Sequence, residues 1–202
     1  MFAHFDGIVA EKNADSIVLD VNGVGYLLFV SGATLSMAPA VGERMKLYSV
    51  LNVREDAMEL FGFYSRSELR CFKLLIGVSG VGPKAALAIL SSNTPENLTM
   101  AIVTENEKAL TAVPGIGKKI AQRVILELKD KLAKAEDELS FSGVSGAAMP
   151  AVVQGDKAKE AAAALSVLGY GPAEINMALK GVDMASLPLE EIIRQALKHM
   201  VK

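Results

Sequence analysis

The feature that most constrains the fold is a short motif that occurs twice, 35 positions apart. Residues 79–90 read SGVGPKAALAIL, and residues 114–125 read PGIGKKIAQRVI. A Gly-x-Gly turn between two helical patterns predicts a helix-hairpin-helix, because the first glycine can adopt a positive φ and the second leaves space beside the backbone. The aliphatic residue between the glycines is expected to point inward. Two copies predict a tandem all-α domain.

Each turn leads directly into a new helix, which is an arrangement typical of an anion-binding site. The unpaired N–H groups and the positive dipole end of such a helix face outward. Neither motif is suited to reading base edges, so the pair predicts a clamp that holds two backbone phosphates without selecting sequence. The predicted phosphate-binding residues are Gly80, Val81, Gly82, Lys84, Gly115, Ile116, Gly117, Lys118, Lys119 and Arg123.

Charge is distributed unevenly along the chain. The formal net charge is −2, which by itself argues against a nucleic-acid partner. However, residues 63–134 carry eleven basic and six acidic side chains, whereas residues 1–62 carry four basic and eight acidic ones. The positive block contains both motifs, and the local field matters more than the total when the partner is a polyanion.

The first 62 residues have the pattern of β-structure. Short β-branched runs (GIVAEK, SIVLDV, GYLLFV and MKLYSVLNV) alternate with the turn sequences NAD, NGVG and VGE. Five or six such strands predict a small closed barrel of the oligonucleotide-binding (OB) type, with a split two-sheet arrangement as the alternative. Gly23 and Gly25 would permit the bulge or bend that closure needs. A further hairpin is predicted with Arg54–Ala57 at its tip.

From about Ser65 the apolar period becomes helical, with helices expected at 83–92, 95–104, 106–112 and 118–134 after a first one capped by Ser65 or Ser67. An acidic segment rich in Gly, Ser and Ala then predicts a flexible linker. The tail has three helix-sized pieces. The sequence therefore predicts a multi-domain α+β chain: an OB-like barrel at 1–63, tandem helix-hairpin-helix units at 64–135, a linker at 136–156 and a three-helix unit of ubiquitin-associated (UBA) type at 157–202.

Several kinds of site and location are disfavoured. Cys71 is the only cysteine, which argues against disulfides and a cysteine-built metal site and predicts core packing for this residue. His4 and His199 lie far apart without other metal ligands. The sequence GIGKKIA lacks the spacing and the Ser or Thr of a nucleotide-binding phosphate loop, so we expect no cofactor and no ATP hydrolysis. Without a signal-type stretch or a membrane-length apolar run, the chain is expected in the cytoplasm.

Over its whole length the chain resembles the RuvA family of Holliday-junction-binding proteins. The resemblance is carried by NGVGY at 22–26, VREDAMELFGF at 53–63, GVGPKAALAIL at 80–90, PGIGKKIAQRVILELKDKL at 114–132 and ALSVLGY at 164–170. It implies a homotetramer, alone or as two tetramers face to face, that holds a four-way DNA junction open. It also implies a role in recombination, repair and the SOS response to DNA damage.

The resemblance assigns roles outside the two turns as well. Glu55 and Asp56, flanked by Arg54, would form an acidic pin near the tetramer axis that keeps strands apart at the crossover, although charged residues are also common in ordinary hairpin turns. The C-terminal unit, with Leu168, Gly169 and Tyr170, would bind a hexameric AAA+ motor of the RuvB type, which hydrolyses ATP to drive branch migration. A junction-resolving endonuclease is a further partner that the resemblance allows.

Two rival functions stay open at the level of sequence. A helix-hairpin-helix repair enzyme, such as a glycosylase or nuclease, would need a catalytic residue after the second motif, where Glu127 and Asp130 lie in a pattern typical of a solvated helix face. A protein-binding scaffold with a UBA-like tail would leave the positive block unused. His4 and Asp6 stand where many members of the family have basic residues, so DNA contacts from the first strand are not expected.

Overall fold

The computed structural model describes residues 1–141, 156–167, 170–184 and 186–200. Five strands close the N-terminal barrel in the order β1-β2-β3-β5-β4: β1 (His4–Lys12), β2 (Ser16–Val21), β3 (Val24–Val30), β4 (Arg44–Val53) and β5 (Met58–Phe63). All pairs are antiparallel except β3 with β5. Alternate residues of β1 point into the apolar interior, as a barrel strand requires. The predicted barrel is confirmed.

Two local features shape the barrel strands. Asn22 and Gly23 both have positive φ and form the tight turn between β2 and β3, in which the Gly23 N–H donates to Asp20 Oδ1 over 2.8 Å. The irregularity in strand pairing lies in β1, between Val9 and Glu11, and Gly25 keeps regular register with Asp20. The sequence therefore located the sharp turn but not the bulge.

A short helix that the sequence did not predict, α1 (Gly32–Met37), follows β3. The Ser31 hydroxyl caps it by accepting a hydrogen bond from the Thr34 N–H. With six residues, α1 is too short to show a helical period, and its Gly32 is a poor helix former. The helix matters because it lies between the barrel and the helical domain.

The central domain consists of five helices: α2 (Arg66–Ile76), α3 (Pro83–Ser92), α4 (Pro95–Val103), α5 (Glu107–Thr111) and α6 (Lys118–Phe141). Side chains of Ser65, Thr94 and Asn106 cap α2, α4 and α5. Cys71 lies in the core of this domain, and burial raises the pKa of its thiol to about 12. Helix α6 continues into the segment predicted as a linker, and the rest of that segment, 142–155, lies outside the described residues.

The C-terminal unit contributes α7 (Asp156–Val167), α8 (Pro172–Leu179) and α9 (Leu189–Met200), as its three helix-sized pieces predicted. Its apolar residues, among them Leu165, Ile192 and Ile193, join the same core cluster as those of the central domain. None of the helices in the described part of the chain combines the length and apolarity needed to cross a membrane.

Candidate nucleic-acid interface

The two glycine turns have the same backbone geometry. Gly80 has φ 88° and Gly115 has φ 84°, so both take up the left-handed conformation that only glycine adopts without strain. The Val81 N–H donates to the Val78 carbonyl over 3.0 Å, and the Ile116 N–H donates to the Val113 carbonyl over the same distance. The repeated motif thus builds one hydrogen-bonded structure twice.

The aliphatic residue of each turn is buried, as the sequence predicted. Val81 is 5% exposed and Ile116 is 4% exposed, and both belong to the core of the central domain. Their side chains are therefore unavailable to a ligand. Any contribution that they make to binding comes from their backbone, which the packing holds in place.

The glycines of both turns leave open space at the surface. A Cβ atom added at Gly82, Gly115 or Gly117 would have no heavy atom within 4 Å, and at Gly80 the nearest is Arg123 Nη1 at 3.8 Å. Neither Gly82 nor Gly117 has a positive φ. Neither a positive φ nor a close neighbour requires glycine at these two positions. The space beside them is open to a ligand.

Helices α3 and α6 begin without a side-chain cap, since Gly82 and Gly117 precede them. Gly82 makes no capping hydrogen bond through a side chain, whereas α1, α2, α4 and α5 each have a Ser, Thr or Asn cap. The carbonyls of the two glycines accept hydrogen bonds from Ala86 and Ala121, so the helices start normally. The first-turn N–H groups of α3 and α6 stay uncovered, with the positive end of the helix dipole behind them.

Three exposed lysines lie at these helix starts: Lys84 in α3, and Lys118 and Lys119 in α6. Within the described residues, the ion pairs of the helical domain involve Arg123 and Lys129 rather than these three lysines. Uncapped helix starts with unpaired ammonium groups beside them are an arrangement that favours anions.

Arg123, which lies in the second helix of the second motif, contacts the first turn. Its Nη1 donates to the Ser79 carbonyl over 3.3 Å, and its Nε lies 3.9 Å from Glu127 Oε1. Glu127 Oε2 in turn accepts from the Ser79 N–H over 3.4 Å. Arg123 and Glu127 thus connect α6 to the first turn, and this link could not be inferred from the repeat because the equivalent positions in the first copy are Ala88 and Ser92.

The predicted pin lies at an exposed hairpin tip. The Arg54 N–H donates to the Ala57 carbonyl over 2.8 Å and closes the loop between β4 and β5. The Arg54 guanidinium turns back along the hairpin, with Nη2 3.6 Å from Glu59 Oε2. In the described part of the chain, the carboxylates of Glu55 and Asp56 have no ion-pair partner. Their negative charges are therefore presented to solvent together.

The first strand is less acidic at its surface than its sequence suggests. Asp6 Oδ1 accepts from Arg44 Nε over 2.8 Å across the β1–β4 pair, which offsets its charge. Next to it on the barrel, Lys46 and Arg66 lie over the Tyr48 ring at 5.7 Å and 5.3 Å from its centroid. The sequence analysis did not identify these two cations, since they come together only through strand pairing and the start of α2.

The residues predicted to bind a motor are only partly described. Leu168 and Gly169 lie outside the described residues. Tyr170 is half-buried beneath Arg70 of α2, whose guanidinium carbon is 4.8 Å from the ring centroid. Burial raises the pKa of the Tyr170 hydroxyl. Met177 of α8, which the sequence analysis did not single out, is 76% exposed and offers an apolar contact on this unit.

The features expected of a repair enzyme are weak in the described residues. Glu127 serves as a hydrogen-bond partner of the first turn, and the side chain of Asp130 is not described. A cavity of about 340 Å³ between α4 and α9 is lined by Glu96, Asn97, Met100, Arg194, Leu197 and Lys198, outside both turns. No group of His, Cys, Asp and Glu in the described ranges is arranged to hold a metal ion.

Comparison with known families accounts for most of the chain. Residues 1–62 match the model of the RuvA N-terminal domain, residues 72–130 match that of the SAM-like helix-hairpin-helix tandem, and residues 156–201 match that of the RuvA C-terminal domain. These three matches follow the barrel, the two turns and the C-terminal helices in order.

Similar proteins align with this chain over most or all of its length. The chain is 45% identical over 203 residues to a protein of Acetivibrio thermocellus, covering 100% of both, and 41% identical to one of Ruminiclostridium cellulolyticum, covering 99% of this chain and 100% of the relative. A protein of Magnetococcus marinus is 46% identical over 89% of this chain and 87% of its own length. All three are named Holliday junction branch migration complex subunit RuvA.

Proposed function

The chain belongs to the RuvA family, and from this membership we propose that it binds four-way DNA junctions through their backbone phosphates, as a subunit of a branch-migration complex in the cytoplasm. The observation that carries the proposal is the pair of equivalent glycine turns, each with an uncapped helix start and an unpaired lysine. Two such sites in one domain can hold two phosphates of a duplex arm.

A binding assay with synthetic DNA tests this function. The protein should bind a fixed four-way junction more tightly than a linear duplex of the same arm sequence, and should be indifferent to scrambling of that sequence. The logarithm of the binding constant should fall linearly with the logarithm of salt concentration, by about 0.9 for each phosphate contacted on duplex DNA. Equal affinity for junction and duplex, or a strong dependence on sequence, would contradict the proposal.

The subunit is proposed to be non-catalytic. Its sequence lacks a nucleotide-binding phosphate loop, and Glu127, which follows the second motif, accepts a hydrogen bond from the Ser79 N–H of the first turn. ATP hydrolysis would then come from a partner motor of the RuvB type. The rival function, a glycosylase or nuclease, has no comparable support in the described site.

The acidic hairpin is proposed to guide strands at the crossover. In a fourfold-symmetric tetramer, four copies of Glu55 and Asp56 would meet near the axis, where their charge repels phosphates that approach closely. Two unit charges about 4 Å apart interact by about 1 kcal/mol even with the dielectric constant of water. Such a charge cluster shapes the path of DNA rather than binding it.

Neutralising the pin should separate binding from strand guidance. We expect the double variant Glu55→Gln with Asp56→Asn to bind a junction as tightly as the wild type or up to about tenfold more tightly, because repulsion of phosphates is removed. Branch migration with the motor should change in rate. Electrophoretic mobility shift and junction-dissociation assays measure the two properties. The control is Glu11→Gln with Asp15→Asn, which neutralises two exposed carboxylates of the barrel outside this hairpin. Loss of binding in the double variant would show that the pin assignment is wrong.

The C-terminal unit is proposed to recruit the motor through apolar contacts that include Met177. We expect Met177→Glu to reduce co-precipitation of a RuvB-type motor at least tenfold, because a carboxylate would be desolvated in the interface. Affinity for junction DNA should stay within about twofold, since Met177 is exposed and lies outside both turns.

Asn176→Glu is the matched control, because Asn176 is the exposed neighbour of Met177 on α8. The control should retain the motor. Equal recruitment by Met177→Glu and the wild type would rule out this surface, and equal loss in both variants would show that added charge, not loss of an apolar contact, is responsible.

A further inference from the structure

Glu68 is a buried carboxylate at the boundary between the barrel and the helical domain. It lies in the first turn of α2 and is 5% exposed. Its Oε1 accepts from the Ser31 hydroxyl, and its Oε2 accepts from the Thr34 hydroxyl over 2.6 Å and from the Tyr64 N–H over 3.2 Å. A buried carboxylate is costly without such donors, so these contacts strongly favour one arrangement of the segments that supply them.

The donors come from two separate places in the barrel. Ser31 and Thr34 belong to the cap and first turn of α1, which follows β3, and Tyr64 directly follows β5. The Thr34 hydroxyl also accepts from the Tyr64 N–H over 3.0 Å. One carboxylate on α2 therefore joins two barrel segments to the helical domain.

A second contact links α1 to α3, the helix that follows the first glycine turn. The Gly32 N–H donates to Ser91 Oγ over 2.8 Å, and Ser91 lies in the last turn of α3. The other end of α3 is the uncapped start that follows Gly82. Helix α1 is thus fixed to α2 through Glu68 and to α3 through Ser91, and α3 connects this joint to the first phosphate site.

We propose that Glu68 is a positioning residue for junction recognition. By holding α1 against α2, it fixes the orientation of the acidic hairpin relative to the glycine turns, and this orientation makes a four-way junction bind better than a linear duplex. The inference rests on the proposed function. It adds a residue that touches no DNA and acts through the geometry between two domains.

The geometry explains why junction and duplex should respond differently. A duplex arm needs only the two turns, whose Val81 and Ile116 side chains are buried in one apolar core. A junction must also fit its crossover around the acidic hairpin while its arms reach the turns. Strand β5, which connects this hairpin to the joint, has six residues and is about 20 Å long, so a tilt of about 10° of the barrel at the joint moves the hairpin by roughly 3–4 Å relative to the turns. That displacement would bring the carboxylates of Glu55 and Asp56 closer to the phosphates of one arm, which they repel.

Substitutions at Thr34, which is fully buried, test the proposal with a matched pair. Thr34→Val keeps the shape but removes the hydroxyl that donates to Glu68, whereas Thr34→Ser keeps the hydroxyl. We expect Thr34→Val to lower junction affinity about tenfold and duplex affinity less than twofold, because a buried carboxylate loses a donor. Thr34→Ser should stay close to the wild type. Glu68→Ala should resemble or exceed Thr34→Val, and Glu68→Gln, which keeps one acceptor oxygen, should fall between.

Amide hydrogen exchange supplies a readout that does not depend on DNA. In Thr34→Val, exchange at the N–H groups of Gly32 and Tyr64 should rise at least tenfold, because these amides belong to the joint. Exchange at Ala86 and Ala121, which belong to the starts of α3 and α6, should stay at the wild-type rate.

Each result decides the inference. Selective loss of junction binding together with local exchange at the joint supports it. A parallel fall of junction and duplex affinity, with exchange raised throughout both domains, would show a purely stabilising role and overturn it. If Thr34→Val keeps the wild-type preference for junctions, the inference is wrong, whereas the proposed function is unaffected. A wild-type protein without any junction preference would overturn the proposed function and the inference with it.

Discussion

Reversing the charge of Lys84 and Lys119 should lower affinity for a four-way junction and for a linear duplex by the same large factor, on the order of 100-fold at about 0.1 M salt. Each substitution removes a cation beside an uncapped helix start and puts a carboxylate in the path of a phosphate. The effect should be equal for the two substrates because both are held by the same turns. Fluorescence anisotropy at several salt concentrations measures it, and the salt dependence should become weaker as phosphate contacts are lost.

The control for this prediction changes the net charge equally. Lys108→Glu with Lys180→Glu also reverses two exposed lysines, one on α5 and one after α8, outside the turns. This variant should lose no more than a few-fold in affinity, through the long-range field alone. A similar large loss in both variants would indicate a diffuse electrostatic attraction instead of two defined phosphate sites. Unchanged affinity of Lys84→Glu with Lys119→Glu would contradict the clamp.

Replacing Gly82 and Gly117 with aspartate should abolish DNA binding while leaving the fold intact or slightly more stable. Asp is a preferred N-cap residue, and each replacement of a capping Gly is worth a few tenths of a kcal/mol. Gly82 has φ −84° and ψ 171°, and the space beside both glycines is empty, so the new side chains fit. The same carboxylates would occupy the N–H groups that a phosphate needs, and would repel it. We expect at least a 100-fold loss of affinity with an equal or higher melting temperature.

Asparagine at the same two positions separates two effects of aspartate, the capping of the helix N–H groups and the repulsion of phosphate. It caps a helix about as well as aspartate and has nearly the same shape, but it is neutral. The asparagine variant should therefore bind DNA better than the aspartate variant and worse than the wild type. Wild-type DNA affinity in the aspartate variant would show that the helix starts do not bind phosphates, even if the lysines contribute to affinity.

Much of the fold could be predicted because its signals are local. The repeat predicted both glycine turns, including the positive φ and the buried aliphatic residue of each, because a tight turn depends on adjacent residues. Strand patterns and turn residues likewise predicted the barrel and the hairpin at Arg54–Ala57. Helix α1 was missed because six residues hold less than two helical turns of periodicity.

The features that escaped prediction depend on pairs that are distant in sequence. Arg123 stays a predicted phosphate ligand, and its contact with Ser79, 44 residues earlier, could not be predicted. The ion pair of Asp6 with Arg44 could not be predicted either, because it forms only when β1 and β4 align. The packing of Tyr170 beneath Arg70 has no local sign either, because it arises between two domains.

The state of Cys71 has a practical consequence for observing this protein at work. Because burial raises the pKa of its thiol to about 12, Cys71 stays protonated at neutral pH, and the sulfur is shielded by the core. A cysteine engineered on the surface would therefore be the one readily alkylated group in an otherwise native chain. Maleimide dyes could then be attached at chosen points for single-molecule fluorescence, without first deleting a natural residue from the interior.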